Sequence, residues 1–317
     1  MRLWLPQATG AATEIDYLIL ALVLISCAIL ALVFGLMLLY MFKYRANSGI
    51  NRGALPEKTW RLEVGWTTVT LLVFFGLFVW GANLYVRLFE PPPGTMKIYV
   101  VGKQWMWKVE YPGGQREINA LHVPVDQAVQ LLMTSEDVIH DFSIPAFRIK
   151  HDVLPGRYEA LWFKAERPGV YHLFCTQLCG SGHASMTGEI VVMSGPDYQS
   201  WLEQNRAAET LAQAGQTLFM RYGCSGCHGG NGVGGAQAGS TVRAPPLAGL
   251  YGSPVTLTSG RVVIADDRYI RDCILLPDRE RVASYPPVMP SFAGQMSEED
   301  LLKIIAYIKS LASENPS

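Results

Sequence analysis

The sequence predicts a membrane-anchored multidomain protein: a two-helix transmembrane hairpin, then an all-β barrel, then an all-α domain. Three observations carry this. Residues 17–42 and 64–86 contain no charged side chain, residues 96–193 alternate short β-rich runs with turns, and from about residue 213 helical patterns alternate with Gly-rich loops. The chain has 317 residues, enough for two globular domains beyond an anchor. Half of it is hydrophobic and only 17% is charged, with a net charge of −1 that offers no basic surface for nucleic acid. The expected organisation is an N-terminal tail and hairpin over 1–91, with helices at about 17–42 and 64–88. A β domain over 92–195, a linker over 196–212 and a helical domain over 213–317 follow.

Each uncharged run meets the roughly 20 apolar residues that a bilayer span requires. The first is too long for a signal-peptide core, and no small-residue cleavage site follows it. The loop between the spans carries Lys43, Arg45, Arg52, Lys58 and Arg61, against Arg2 alone in the N-terminal tail. Basic residues stay on the cytoplasmic side, which places the N-terminus and both globular domains outside, on the periplasmic face of a bacterial inner membrane crossed twice. Pro91-Pro92-Pro93-Gly94 ends the second helix.

The β-rich runs MKIYVVG, QWMWKVEY, AVQLLMTS, YEALWF and GEIVVM are spaced as in a sandwich or barrel. Between the last two such runs lies Cys175-Thr-Gln-Leu-Cys179-Gly-Ser-Gly-His183-Ala-Ser-Met186. Two thiols, an imidazole and a thioether within twelve residues form a soft donor set, suited to copper or zinc rather than magnesium or calcium. His140, expected at the end of an earlier strand, is the natural upstream imidazole. A Cys175–Cys179 disulfide and a structural zinc are the alternative readings.

The Cys-x3-Cys-x3-His-x2-Met loop, with His140 in the run Ser135-Glu136-Asp137-Val138-Ile139-His140, resembles the CuA site of cytochrome c oxidase subunit II over roughly residues 15–195. The resemblance implies a cupredoxin-like fold and a binuclear copper centre. Cys175 and Cys179 would bridge the two coppers, His140 and His183 would each bind one, and Met186 and the carbonyl of Gln177 would be weak ligands. It also implies a magnesium ion beside residue 177 at the subunit I interface. The family usually has Glu there, and the amide of Gln177 coordinates without charge. Gly102-Lys103-Gln104-Trp105-Met106-Trp107 resembles the aromatic patch where electrons enter, at Trp105. One strand face of core aromatics is the plainer reading of the two tryptophans. Glu63 resembles the acid at the cytoplasmic mouth of a proton channel, although an acid also suits any helix start. His122, His151 and His172 read as ordinary histidines, and Cys27 and Cys273 as inert core residues.

Cys224-Ser225-Gly226-Cys227-His228 is the C-x-x-C-H attachment motif for one covalent c-type haem, with a disulfide or zinc as alternatives. An amphipathic run with Ala214, Leu218 and Phe219 precedes it. Ser297 followed by Asp300 opens a capped helix whose Leu301, Ile304, Ile305, Ile308 and Leu311 share one face. Residues 208–315 resemble a class I cytochrome c. The resemblance implies His228 and Met289 as axial ligands, with the carbonyl of Pro245 orienting His228. Met296 competes with Met289 but lacks its flanking prolines.

No residue here is expected to be catalytic. The resemblance implies electron transfer from the haem through the copper pair to subunit I, where oxygen reduction is coupled to proton translocation. Expected partners are subunit I, other oxidase subunits, membrane lipid, and a donor that is a soluble cytochrome c or a quinol-oxidising complex. The alternatives are the small subunit of a CuA-containing nitric oxide reductase, or a stand-alone membrane-anchored copper/haem redox protein. The linker is expected to let the cytochrome domain swing.

Overall fold

The structure, a computed structural model, describes residues 6–50, 59–206, 209–232, 234 and 244–311. Arg2, Arg52 and Lys58, part of the charge asymmetry above, lie outside the described residues.

Helix α1 (Gly10–Lys43) has 34 residues, roughly 50 Å at 1.5 Å per residue. That exceeds the ~30 Å hydrocarbon thickness, and the surplus lies at its N-terminal end against the β domain. Ala8 is buried there and donates its N–H to the carbonyl of Ala146 at 3.1 Å, while its own carbonyl accepts from Glu166 at 2.7 Å. Arg148 grips Asp16 with two nitrogens, at 2.8 and 2.9 Å. Helix α2 (Trp60–Phe89) returns beside α1 and stops just before the proline run. A Glu14–Arg87 ion pair at 2.6 Å ties the two helices near the end that meets the β domain. Lys43 and Arg61 mark the opposite end. Between these ends the apolar side chains face outward, as a lipid-embedded helix pair requires, since its backbone is satisfied within each helix.

Ten strands build the β domain among the described residues: β1 (Met96–Lys103), β2 (Met106–Glu110), β3 (Arg116–Ile118), β4 (Ala120–Pro124), β5 (Ala128–Ser135), β6 (His140–Ile144), β7 (Ile149–Val153), β8 (Glu159–Lys164), β9 (Gly169–Cys175) and β10 (Thr187–Met193). They form two five-stranded sheets, ordered β3-β2-β1-β5-β8 and β4-β10-β9-β6-β7. This is a cupredoxin-like sandwich. Alternation along β5 sends Val129, Leu131 and Met133 into the core, where Trp107 meets Phe142 edge-on at 5.0 Å.

The stretch expected as a linker begins with α3 (Gly195–Gln204), capped by Ser194. Its Trp201 stacks on His122 at 4.7 Å, and His122 in turn bonds Glu117 at 2.7 Å. The helical domain follows: α4 (Leu211–Arg221), α5 (Ser225–His228), a β11–β12 hairpin (Pro254–Thr256 and Val262–Ile264), α6 (Asp267–Leu275) and α7 (Glu298–Ser310). A capping box between Thr210 and Gln213 starts α4, and Ser297 caps α7 by accepting from the Asp300 N–H. The expected apolar face of α7 is buried along its whole length. Helices α4 and α7 cross closely at Gly215, where a Cβ would lie 1.9 Å from the carbonyl oxygen of Lys303.

Candidate functional site

Cys175 is the last residue of β9, and the loop that follows returns as β10. Strand β6 runs antiparallel to β9 with Phe142 opposite Cys175, and this register brings His140 over the loop. His140 is the first residue of β6, not the end of the preceding strand. The ligand atoms of His140, Cys175 and Cys179 all lie within 4.8 Å of one another, and all three residues are buried. Cys179 Sγ is the hub: Cys175 Sγ lies at 3.7 Å, His183 Nδ1 at 3.5 Å and Met186 Sδ at 3.8 Å. The Gln177 carbonyl oxygen is 3.3 Å from Cys175 Sγ, and the Gln177 side chain is exposed.

This donor set fits copper. The Nδ1 of His140 is buried without a hydrogen-bond partner, while its Nε2 is held by Asp137 at 2.9 Å. An imidazole with one nitrogen fixed by a carboxylate and the other bare is the arrangement of a metal-binding histidine. Both thiols are free, with the sulfurs in contact but unbonded. Burial pushes the Cys175 thiol up, but the neighbouring His140 imidazole and hydrogen bonding from the Asp141 and Gln177 backbone outweigh it, so this thiol is the more acidic. Burial and the neighbouring Cys175 push Cys179 up. A cation displaces both protons, because the thiolate is the binding form.

Trp105 and Trp107 do not share a role. Trp107 is fully buried in the core, its ring 5.8 Å from that of His140. Trp105 sits in the β1–β2 turn with a third of its surface exposed. Its indole Nε1 donates to the Cys179 carbonyl at 3.2 Å, beside the Gln104 amide at 2.9 Å. The indole therefore lies on the loop that carries the thiols, and Gly182 makes room for it. A Cβ at Gly182 would come within 2.4 Å of Trp105 Cδ2. Gly182→Ala is expected to unseat the indole and broaden the copper electron paramagnetic resonance signal. Gly195→Ala, with nothing within 4 Å of the added Cβ, should leave the signal unchanged.

In the helical domain, α4 delivers the chain to Cys224, and Cys224, Cys227 and His228 line an apolar cavity. Its walls include Phe219, Leu247, Ile270, Ile274, Ile304 and Ile308. His228 is buried, and its Nδ1 lies 2.9 Å from the Pro245 carbonyl oxygen, which fixes the proton there and turns Nε2 inward. Burial holds its pKa below the ordinary imidazole value, against the pull of that carbonyl. Met289 lines the same cavity, whereas Met296 lines a separate cleft against the β domain. Two free thiols, an inward imidazole nitrogen and a thioether around an apolar cavity fit a c-type haem. Cys273, expected as a plain core residue, also lines this cavity, and Cys27 faces outward from α1. Glu63 is in the first turn of α2, accepting from the Thr59 hydroxyl at 2.5 Å.

Sequence reasoning assigned no task to Asp137, Gly182, Asp16 or Arg148. The signal for Asp137 was its place three residues before His140; the others carry none in a single sequence.

A membrane hairpin, a cupredoxin-like sandwich bearing a soft-donor loop and a c-type cytochrome domain together define a membrane-bound electron-transport protein. Residues 114–194 match the family described as cytochrome c oxidase subunit II, periplasmic domain, and residues 212–312 match cytochrome c. Cytochrome c oxidase subunit 2 of Alkalihalophilus pseudofirmus is 28% identical over 96% of this chain and 89% of its own length. Heme-copper oxidase subunit 2 of Aeropyrum pernix is 30% identical over 49% of this chain and 68% of its own. Cytochrome c oxidase subunit 2 of Cereibacter sphaeroides is 29% identical over 63% of this chain and 79% of its own. The chain belongs to the cytochrome c oxidase subunit II family, with a cytochrome c domain joined at its C-terminal end.

Proposed function

We propose that this chain is the electron-delivering subunit of an oxygen-reducing, proton-translocating haem–copper oxidase, accepting electrons at one covalent haem c and passing them through a binuclear copper centre to subunit I. The observation that carries this is the buried cluster of His140, Cys175 and Cys179, with His183 and Met186 against the same sulfur. When bound, the copper pair supplies a one-electron couple whose charge is shared over two ions, and the haem supplies a second.

The protein's part is orientation. Asp137 holds His140 with its bare nitrogen towards the thiols, and Cys175, Cys179, His140 and His183 would hold the copper pair, with Met186 and the Gln177 carbonyl as weaker donors. Cys224 and Cys227 would hold the haem covalently, with His228, oriented by the Pro245 carbonyl, and Met289 as its iron ligands. His/Met ligation favours a relatively high potential. Trp105, seated on the copper loop with an exposed edge, is the entry point to the copper pair for electrons arriving from the haem. Glu63, at the basic end of the hairpin, serves proton uptake into subunit I. At the subunit I interface Gln177 would offer a magnesium ion an uncharged amide oxygen in place of a carboxylate.

Ala8 and Asp16 at the head of α1 are bound to the β domain, which supports a hairpin that enters the membrane from the side of the globular domains. With Lys43, Arg45 and Arg61 at the other end, this supports a two-pass protein of a bacterial inner membrane with its domains outside. The donor is an external redox protein, a soluble cytochrome c or a quinol-oxidising complex.

Electron paramagnetic resonance and metal analysis on the purified membrane complex test the reading. One unpaired electron split by two equivalent coppers, at two coppers per haem c beyond the copper of subunit I, is the expected result. A single-copper signal, at one copper per haem c beyond that of subunit I, would overturn it.

A further inference from the structure

We propose that the outer face of strands β1, β5 and β8 is a fixed seat for this chain's own cytochrome domain, so the two sites are kept at one separation rather than joined by a swinging tether. Along β1 the side chains alternate. Ile98 and Val100 enter the core of the sandwich, whereas Tyr99 and Val101 belong to the core of the cytochrome domain, together with Tyr158 and, at its margin, Leu132. Tyr99 is 4% exposed and Tyr158 8%. Two tyrosines and a valine on the outer face of a free sheet would be solvated, so something must cover them, and α6 and α7 do.

Charged groups fix the register of this seat: Lys97–Asp267, Lys309–Tyr99, Arg271–Gly156 and Lys108–Glu299 each cross between the domains, and the remaining contacts hold those groups in place. Asp267, which opens α6, is buried and takes Lys97 of β1 at 3.7 Å and the Tyr251 hydroxyl at 2.8 Å. Lys309 of α7 pairs with the same carboxylate and donates to the Tyr99 hydroxyl at 3.0 Å. Arg271, 3% exposed, is held by Glu298 and donates to the Gly156 carbonyl across the seam at 2.6 Å. Lys108 of β2 bridges Glu136 at 3.2 Å and Glu299 of α7 at 2.6 Å.

Interfaces between domains of one chain are mobile by default unless apolar contact is substantial. Here the aromatic patch supplies adhesion and the ion pairs supply orientation. A short tether adds an effective concentration on the order of millimolar, so a seam with a Kd near micromolar as free parts would stay closed about 1000 to 1. The seat itself stands on these contacts; its consequence for electron delivery rests on the function proposed above.

The test is a protease site placed within residues 205–210 of the full chain, between α3 and α4. The haem and copper spectra are recorded first, so a failure of the redox assignment is seen before cleavage. After cleavage at tens of micromolar protein and low salt, the cytochrome fragment should co-elute with the membrane-anchored fragment. Lys97→Glu with Lys108→Glu should weaken that association at least tenfold with spectra unchanged. Restoring the Lys108 pair in reverse, as Lys108→Glu with Glu299→Lys, should recover it relative to Lys108→Glu alone. Immediate separation of the unsubstituted fragments, or retention of the double variant as tightly as the parent, would overturn the proposal.

Discussion

Cys179→Ser is expected to abolish the paired copper centre while the cytochrome domain still loads haem. Cys179 is the sulfur that touches Cys175, His183 and Met186 at once, so its loss removes the bridge and the common contact of three other donors. The exchange is nearly isosteric at a 2% exposed position, which leaves little cavity to destabilise the sandwich. A hydroxyl does not ionise as a thiol does and is a hard donor, mismatched to copper. Losing an outer group that merely orients a ligand costs roughly 10–100-fold in metal affinity. Loss of the bridge should exceed about 100-fold, and Asp137→Ala should fall within that outer-group range. Metal analysis with electron paramagnetic resonance reads both variants. Two coppers per haem c with shared hyperfine splitting in Cys179→Ser would remove Cys179 from the centre.

The copper loop and the haem motif were legible because their chemistry is local: Cys175, Cys179, His183 and Met186 lie within twelve residues, and Cys224, Cys227 and His228 within five. The architecture was legible for a similar reason. Uncharged runs, strand-length alternation and the Ser297 cap are signals written within a dozen or two residues. What could not be read depends on pairing across the chain. The Asp16–Arg148 contact joins residues 132 positions apart, and neither residue's neighbours announce it. The linker over 196–212, open in sequence to a helical or a flexible reading, begins as helix α3, but that Trp201 anchors it by stacking on His122 could not be read, because that histidine has no visible partner in sequence. Trp105 and Trp107 two residues apart suggested one strand face, but the turn between β1 and β2 separates them, one onto the copper loop and one into the core. The proposed fixed seat was out of reach for the same cause: nothing in the run Met96–Lys103 announces that Tyr99 and Val101 meet a domain more than a hundred residues further on.

Gly215→Ala is expected to cost the cytochrome domain about 3 kcal/mol or more, the upper end of what overpacking does to a core. The added Cβ would lie 1.9 Å from the Lys303 carbonyl oxygen, 2.5 Å from its carbon and 2.9 Å from Tyr307 Cβ. Two of these atoms are backbone inside α7, so no rotamer change relieves the clash and the helices must part. Ala is the better helix former by up to 1 kcal/mol, which is too small to offset the separation. The damage reaches the haem cavity. Leu218 and Phe219 of α4 share a core with Ile304 and Ile308 of α7, and Phe219, Ile304 and Ile308 line the cavity wall. Tyr307, whose hydroxyl holds the Gly230 carbonyl at 2.8 Å just beyond the haem motif, would shift with them. Thermal unfolding followed at the haem absorbance should show a lowered midpoint and reduced haem content, with the copper signal intact. Gly230→Ala, also in the haem domain but outside the attachment motif and meeting only the flexible end of Met220 at 3.5 Å, supplies the control. Equal stability of the Gly215 and Gly230 variants would mean the α4–α7 crossing is wider than these distances allow.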